Sequence, residues 1–261
     1  MLLCQNLSVR YGDHQALATF NLALKPGEIC ALIGPNGSGK STALQAIAGL
    51  LHPETGQVKI EKSVVSGMPR RQLSRLLSFL PQQPKAPEEM TVEQLVRMGR
   101  FTHVGLFRRY TPRDEEAIAW ALESTGLTGL AHRRLSEISG GEQQRAWISA
   151  ALAQEAKILL LDEPTSFLDI GYQVEVLDLI HKLSRERQIT ILMSIHDLNQ
   201  AMSIADRIVL LSQGSLCFSG GPQELAQTDL IRNIFRVKGQ FVALPGDATP
   251  HFDVELAHRQ K

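Results

Sequence analysis

The sequence predicts an α/β fold with a helical block inserted into it. Short apolar runs alternate with amphipathic stretches over most of the chain, as strands and helices do when taken in turn. Between Gln82 and Ser139 the pattern changes: helical spacing persists and no convincing strand occurs. At 261 residues, 43% of them hydrophobic, the chain is long enough to bury a sizeable core, as one large domain or one domain with a subdomain.

The first strand is expected at 3–9. The second, at 29–33, runs into a glycine-rich loop and a helix over 41–50. Short strands at 58–60 and 77–80 follow. Gln82-Gln83-Pro84-Lys85-Ala86-Pro87 reads as the loop that opens the helical block. Helices are expected at 92–98 and 113–124, and one at 142–154 can pack with them. The apolar run 158–161 suits a central parallel strand covered on both faces. A helix over 173–186, a strand at 190–194, a helix over 198–204 and a strand at 208–211 complete the alternation. Gln213-Gly214 sits like a turn before a strand near 216–218, so that strand and 208–211 are expected as a hairpin. After Gly239 periodicity is lost, and Pro245-Gly246-Asp247 and Thr249-Pro250 mark a loose tail over 240–261.

Composition excludes several classes. Disorder needs less hydrophobicity and more net charge. Lys+Arg (27) balances Asp+Glu (27), which argues against a dedicated nucleic-acid binder, so no nucleic-acid partner is expected. The longest unbroken apolar run, six residues at 117–122, is far short of the roughly 18 that a membrane span needs. No signal peptide is expected, because Gln5, Asn6, Ser8 and Arg10 interrupt the first stretch. Cys4, Cys30 and Cys217 are widely spaced and form no CxxC pair. They read as buried or half-buried apolar side chains in a reducing cytosol, with a disulfide between two of them left open.

Gly34-Pro35-Asn36-Gly37-Ser38-Gly39-Lys40-Ser41-Thr42 matches G-x-x-x-x-G-K-[ST] in full, after a strand and before a helix. The glycines let backbone N–H groups turn inward as a nest for anionic oxygens, and the helix N-terminus adds its positive dipole end. Lys40 supplies a compact cation for the β- and γ-phosphates of a nucleotide, and Ser41 a hydroxyl for Mg²⁺. The strand at 158–161 ends in Asp162-Glu163, at the edge where open α/β sheets place ligands. Asp162 suits Mg²⁺, held through water, and Glu163 a base that polarises the attacking water. Alone, the pair would be a strand end before a turn at Pro164; beside a complete phosphate loop the catalytic reading is the better one.

Ser139-Gly140-Gly141-Glu142 opens the helix that follows it. Ser139 with Glu142 three positions on is a capping box. The box does not account for two consecutive glycines, which let a phosphate approach a bare helix terminus. Since the first loop already takes the phosphates of the chain's own nucleotide, this second terminus suits a nucleotide held by another subunit.

With these segments the chain resembles the ATP-binding subunits of ABC transporters over about 2–236. The usual signature LSGGQ stands here with Ile138 for Leu and Glu142 for Gln; Glu142 keeps the capping geometry and adds a negative charge near a phosphate. The resemblance implies a P-loop NTPase core with a parallel sheet and an N-terminal antiparallel β part. It places an ATPase domain at 1–239, with a helical subdomain inserted at about 83–155. It further implies Tyr11 as the aromatic on adenine and Gln82 as a contact to Mg²⁺ and water that links the site to the transmembrane subunits. Asp169, in Ser166-Phe167-Leu168-Asp169, matches the loop that touches a partner subunit, and His196 the histidine at the γ-phosphate that supports Glu163. A lone aromatic, glutamine or histidine would otherwise read as an ordinary packed or turn residue.

The stretches 142–148, 168–174 and 196–201, and Gly99-Arg100-Phe101, look most like importers of iron–siderophore complexes, with haem and cobalamin importers as close relatives. Such a subunit pairs with a second copy of itself, with ATP and Mg²⁺ between the two. It docks on transmembrane permease subunits at the cytoplasmic face of the bacterial cell membrane and serves a substrate-binding protein indirectly. Phe101 and Phe107 are either docking residues or core. A non-transport ABC ATPase, an exporter and a module that binds ATP without turnover are the competing readings. The absence of tandem domains, long coiled coils and basic patches counts against the first of these, and the presence of both Glu163 and His196 against the last.

Overall fold

A computed structural model describes residues 1–104, 109–243 and 249–255, so Phe107 and Pro245-Gly246-Asp247 lie outside the described residues. The chain divides into two compact units, Met1–Ser66 with Leu192–Lys261, and Gly67–Ile191.

The first unit opens with β1 (Leu2–Tyr11) and β2 (His14–Leu24), an antiparallel pair that closes at Tyr11 opposite His14. Gly12, in the turn, has φ +55, a conformation glycine adopts without steric cost. β3 (Ile29–Ile33) is buried at every residue and leads to α1 (Lys40–Ile47). β4 (Thr55–Ile60) pairs with β1, and β5 (Ser63–Val64) with β4, both antiparallel.

In the second unit α2 (Arg70–Leu73) precedes β6 (Leu77–Leu80). The helices α3 (Val92–Met98), α4 (Phe101–Val104), α5 (Pro112–Ser124) and α6 (Gly140–Ala153) follow, with no named strand among the described residues between them. β7 (Ile158–Asp162) runs parallel to β6, and α7 (Ile170–Arg187) leads to β8 (Thr190–Ser194), within which the chain passes from the second unit to the first. The helices are pinned at one buried point. Arg100 donates from Nε and Nη2 to Asp114 Oδ1 (2.9 and 2.7 Å) and from Nη1 to the Ala153 carbonyl (2.8 Å) and Glu155 (2.7 Å). This ties the start of α4 to the N-terminus of α5 and the C-terminus of α6.

The first unit resumes with α8 (Leu198–Ile204), β9 (Arg207–Ser212), β10 (Ser215–Gly220), α9 (Pro222–Ala226) and α10 (Leu230–Phe235). β9 and β10 form the expected hairpin, and β3 lies parallel to β9. The strands of this unit run in the order β5-β4-β1-β2-β10-β9-β3, antiparallel at one end and parallel at the other.

Several expectations change, and the short elements β5, α2, α4, α9 and α10 are additions to the expected set. β2 was not expected, although Phe20, Leu22 and Leu24 alternate inward with exposed neighbours. The loose tail is not loose where described: β11 (Gly239–Ala243) and β12 (Pro250–Val254) pair antiparallel, with Phe241 and Phe252 in edge-to-face contact at 5.0 Å. Two five-residue strands carry too few alternating positions for a period to show, and one aromatic pair supplies the apolar face. Cys217 is exposed, whereas Cys4 and Cys30 are buried, and all three are free thiols.

Candidate functional site

In the first unit β3 delivers the chain into the phosphate loop at a buried edge. Gly34 has φ +147, and a Cβ there would overlap the Leu211 carbonyl and lie 2.8 Å from Ser38 Oγ. Gly39, at φ +102, is the N-cap of α1 and is closed in by the Ala16 carbonyl and Gly214. The loop is therefore held between β3, the β2 strand and the β9–β10 turn, where Ala18 N–H donates to Gly214 O and Gly214 N–H to Ser38 O. Lys40 is 6% exposed, and its ammonium donates to the Gly34 (2.8 Å) and Pro35 (3.1 Å) carbonyls. The Ser38 hydroxyl is buried without a hydrogen-bond partner among the described residues, which is costly unless a ligand oxygen meets it. A cradle of glycines, one buried cation and one orphaned hydroxyl at a helix N-terminus fits a polyphosphate.

His196 follows β8. The N–H of Ile195 donates to Leu32 O of β3 (3.1 Å), so His196 leaves the sheet at the edge from which β3 enters the loop. The ring is exposed, and Asp197 caps α8 by accepting from Gln200 N–H (2.9 Å). Tyr11 is half exposed at the end of β1.

The second unit gathers another set. Asp162 ends β7 and is 5% exposed. Glu163 takes φ +53, a left-handed conformation that costs a non-glycine residue about 1–2 kcal/mol. One of its carboxylate oxygens accepts from Gln82 Nε2 and from Ser166 Oγ (2.9 Å), and Ser166 N–H donates to its carbonyl (3.2 Å). The side chain is thus aimed by two donors. With the Gln82 amide nitrogen turned to Glu163, its oxygen is the atom suited to a cation.

α6 begins in the same unit as a full capping box. Ser139 donates from N–H (2.8 Å) and O–H (2.9 Å) to Glu142, and Glu142 N–H donates to Ser139 Oγ (3.3 Å). The bonds from the Ser139 N–H and then its hydroxyl hold the Glu142 carboxyl below the usual range. Gly140 opens on free space, but a Cβ at Gly141 would overlap the Tyr172 ring. The second glycine is therefore required by packing on α7, a reason the sequence did not offer. Asp169 caps α7, accepting from Tyr172 N–H (3.1 Å), and beside it Phe167 and Ile170 are 82% and 80% exposed.

Within the second unit Gln82 and Asp162 supply an amide oxygen and a carboxylate, and in the first unit Ser41 supplies a hydroxyl at the start of α1; each is an oxygen donor of the kind a hard cation such as Mg²⁺ takes. Tyr172, which dictates Gly141, and Ala16, Leu211 and Gly214, which shape the loop, are given no role by the motifs, and contacts distant in sequence reveal them. Ser166 lies in a stretch that the sequence singles out, but its bond to Glu163, three residues back, shows only in the turn geometry.

The profile described as ABC transporter matches residues 17–166. A petrobactin import ATP-binding protein of Bacillus anthracis is 41% identical over 94% of this chain and 90% of its own. An iron(3+)-hydroxamate import ATP-binding protein of Bacillus subtilis is 37% identical over 95% of this chain and 93% of its own. Among solved structures, one chain belongs to an inward-facing ABC transporter assigned to the metal-chelate type. It overlays with a TM-score of 0.85 at 30% identity, covering 98% of each chain. A dimeric ATP-binding cassette in a post-hydrolysis state with ADP and Pi overlays with a TM-score of 0.73 at 28% identity, covering 85% of this chain and 98% of that one.

Proposed function

The chain belongs to the ATP-binding subunits of ABC transporters, a family of ATPases, and from this we propose that it powers an importer of iron–siderophore complexes. The import reading draws on relatives that carry petrobactin and iron(3+)-hydroxamate in their names. The observation that carries the hydrolytic reading is Glu163, aimed by Gln82 and Ser166 at the end of a buried strand.

In this proposal residues 34–42 hold the phosphates, Lys40 neutralises the β- and γ-oxygens, and Tyr11 stacks on adenine. Ser41, Gln82 and Asp162 would hold Mg²⁺, which would supply positive charge to offset that of the phosphates. Glu163 takes up the proton of the attacking water, and His196 donates toward the γ-phosphate and supports Glu163. A second copy contributes Ser139, Gly140, Gly141 and Glu142 to the same ATP, and Asp169 lies in the loop that meets that copy. The dimeric cassette among the structural relatives and the exposed Phe167 and Ile170 support such a pairing. ATP then favours the closed pair through its differential affinity for closed and open states, and hydrolysis lets the pair reopen.

The ATPase body is taken as 1–239, with the helical subdomain at about 83–155 relaying closure to the permease subunits. Exposed Phe101 is a candidate contact there. No helix among the described residues is long and apolar enough to cross a membrane, which suits a peripheral subunit at its cytoplasmic face.

The test is Glu163→Gln in the purified chain. ATP is expected to bind, turnover to stop and a nucleotide-dependent dimer to accumulate; hydrolysis at the parent rate would falsify the assignment. Growth of a deletion strain on single iron chelates, haem or cobalamin then separates the cargo classes.

A further inference from the structure

The strand β12 is bonded to the helix that follows His196. Asn199 stands at the second position of α8, three residues after His196. Its Oδ1 accepts from Phe252 N–H (2.8 Å), and its Nδ2 donates toward Phe252 O (3.3 Å). One side-chain amide therefore satisfies both main-chain groups of a single strand residue, as a neighbouring strand would. Because Oδ1 is fixed as acceptor, Nδ2 is the donor in the 3.2 Å contact to His251 Nε2, and the imidazole accepts there. Phe252 is buried, packs edge-on against Phe241, and closes over Gly239, where a Cβ would lie 2.8 Å from its ring. The strand that Asn199 grips is thus itself anchored.

α8 is only seven residues long, too short to hold its place by helix cooperativity alone. Asp197 caps it and Asn199 bolts its first turn to β12, while Ile195 is tied to β3 by its N–H. His196 lies between those two attachments, in a linker of two residues, His196 and Asp197, between the strand-side tie and the helix. From this we propose that the β11–β12 pair is a brace for His196, with Asn199 as its positioning residue.

The inference rests on the role given above to His196, and a double-variant design separates the two. With the full chain, Asn199→Ala is expected to lower kcat for ATP hydrolysis roughly 5- to 30-fold, the factor that loss of one or two net hydrogen bonds carries. The affinity for ATP, set by the phosphate loop, is expected to stay within about twofold. In a His196→Ala background the same substitution is expected to change kcat no further, because the brace acts only through that ring. His251→Leu, which leaves both main-chain bonds of Asn199 in place, gives a smaller drop and serves if Asn199→Ala does not fold. An undiminished kcat in Asn199→Ala, or an equal further loss on top of His196→Ala, overturns the brace. If His196→Ala itself turns over ATP at the parent rate, the histidine's role fails and the brace fails with it.

Discussion

Replacing Arg100 with Met keeps the apolar stem and removes the guanidinium, and its cost follows from the partners it leaves behind. The side chains of Arg100 and Asp114 are 2% and 8% exposed, so water screens little of the pair. Asp114 keeps the Thr111 N–H and O–H on Oδ2 but loses both donors on Oδ1, and the Ala153 carbonyl loses its partner as well. Breaking a buried pair from one side costs about 3–5 kcal/mol, which at roughly 2–4 °C per kcal/mol is a melting shift on the order of 10 °C. The pH dependence identifies the cause. Burial raises the Asp114 pKa, but the bonds from Thr111 and then Arg100 outweigh it and bring the value from 3.8 to about 2. The folded state therefore binds this proton less readily than the unfolded chain. The contribution, about 2 kcal/mol shared between the Thr111 bonds and Arg100, is complete above about pH 4 and fades as pH falls toward 2, and the variant loses the Arg100 part of it. Thermal melts by circular dichroism at stepped pH are expected to show a wide gap between parent and variant at pH 7 that narrows below about pH 4. A variant melting within a degree or two of the parent at pH 7, or a gap indifferent to pH, refutes the reasoning.

Lys40→Ala removes the buried ammonium that the Gly34 and Pro35 carbonyls hold in the loop, so calorimetric titration should show clearly weaker ATP binding, and unchanged affinity would count against the phosphate cradle. Gly141→Ala drives a methyl into the Tyr172 ring and should cost roughly 1–3 kcal/mol in denaturant melts, with part recovered in a Gly141→Ala, Tyr172→Ala double variant; a neutral single variant would contradict the packing. A thiol reagent should titrate only Cys217 in the native chain and all three cysteines after unfolding, since Cys4 and Cys30 are buried and burial pushes the Cys4 thiol up to about 12. Fast labelling of Cys4 or Cys30 in the folded state would speak against their burial.

What was legible in the sequence divides by the range of the forces involved. The run 29–33, the glycine loop and α1 are set by neighbours in sequence: apolar residues, then glycines at φ +75 (Gly37) and +102 (Gly39), then a helix start. The capping box of Ser139 and Glu142 is local in the same sense and stands where it was expected. β2 is not legible because its alternation spans only Phe20 to Leu24, and its place is settled by pairing with β1, as β11 and β12 are settled by pairing with each other. The same divide runs through the site. Asp162, Glu163 and Lys40 are readable because motifs fix them, and Gln82, one of the two donors on Glu163, through the resemblance, yet the other residues that shape the site are not. Ser166 reaches Glu163 through a left-handed turn, Tyr172 dictates Gly141 from another helix, and Leu211 and Gly214 shape the loop from a strand turn far along the chain. Chemistry needs particular atoms and so leaves a signature in residue types, whereas orientation needs only something of the right shape nearby. A motif therefore names the reacting groups, and only the fold shows what holds them in place.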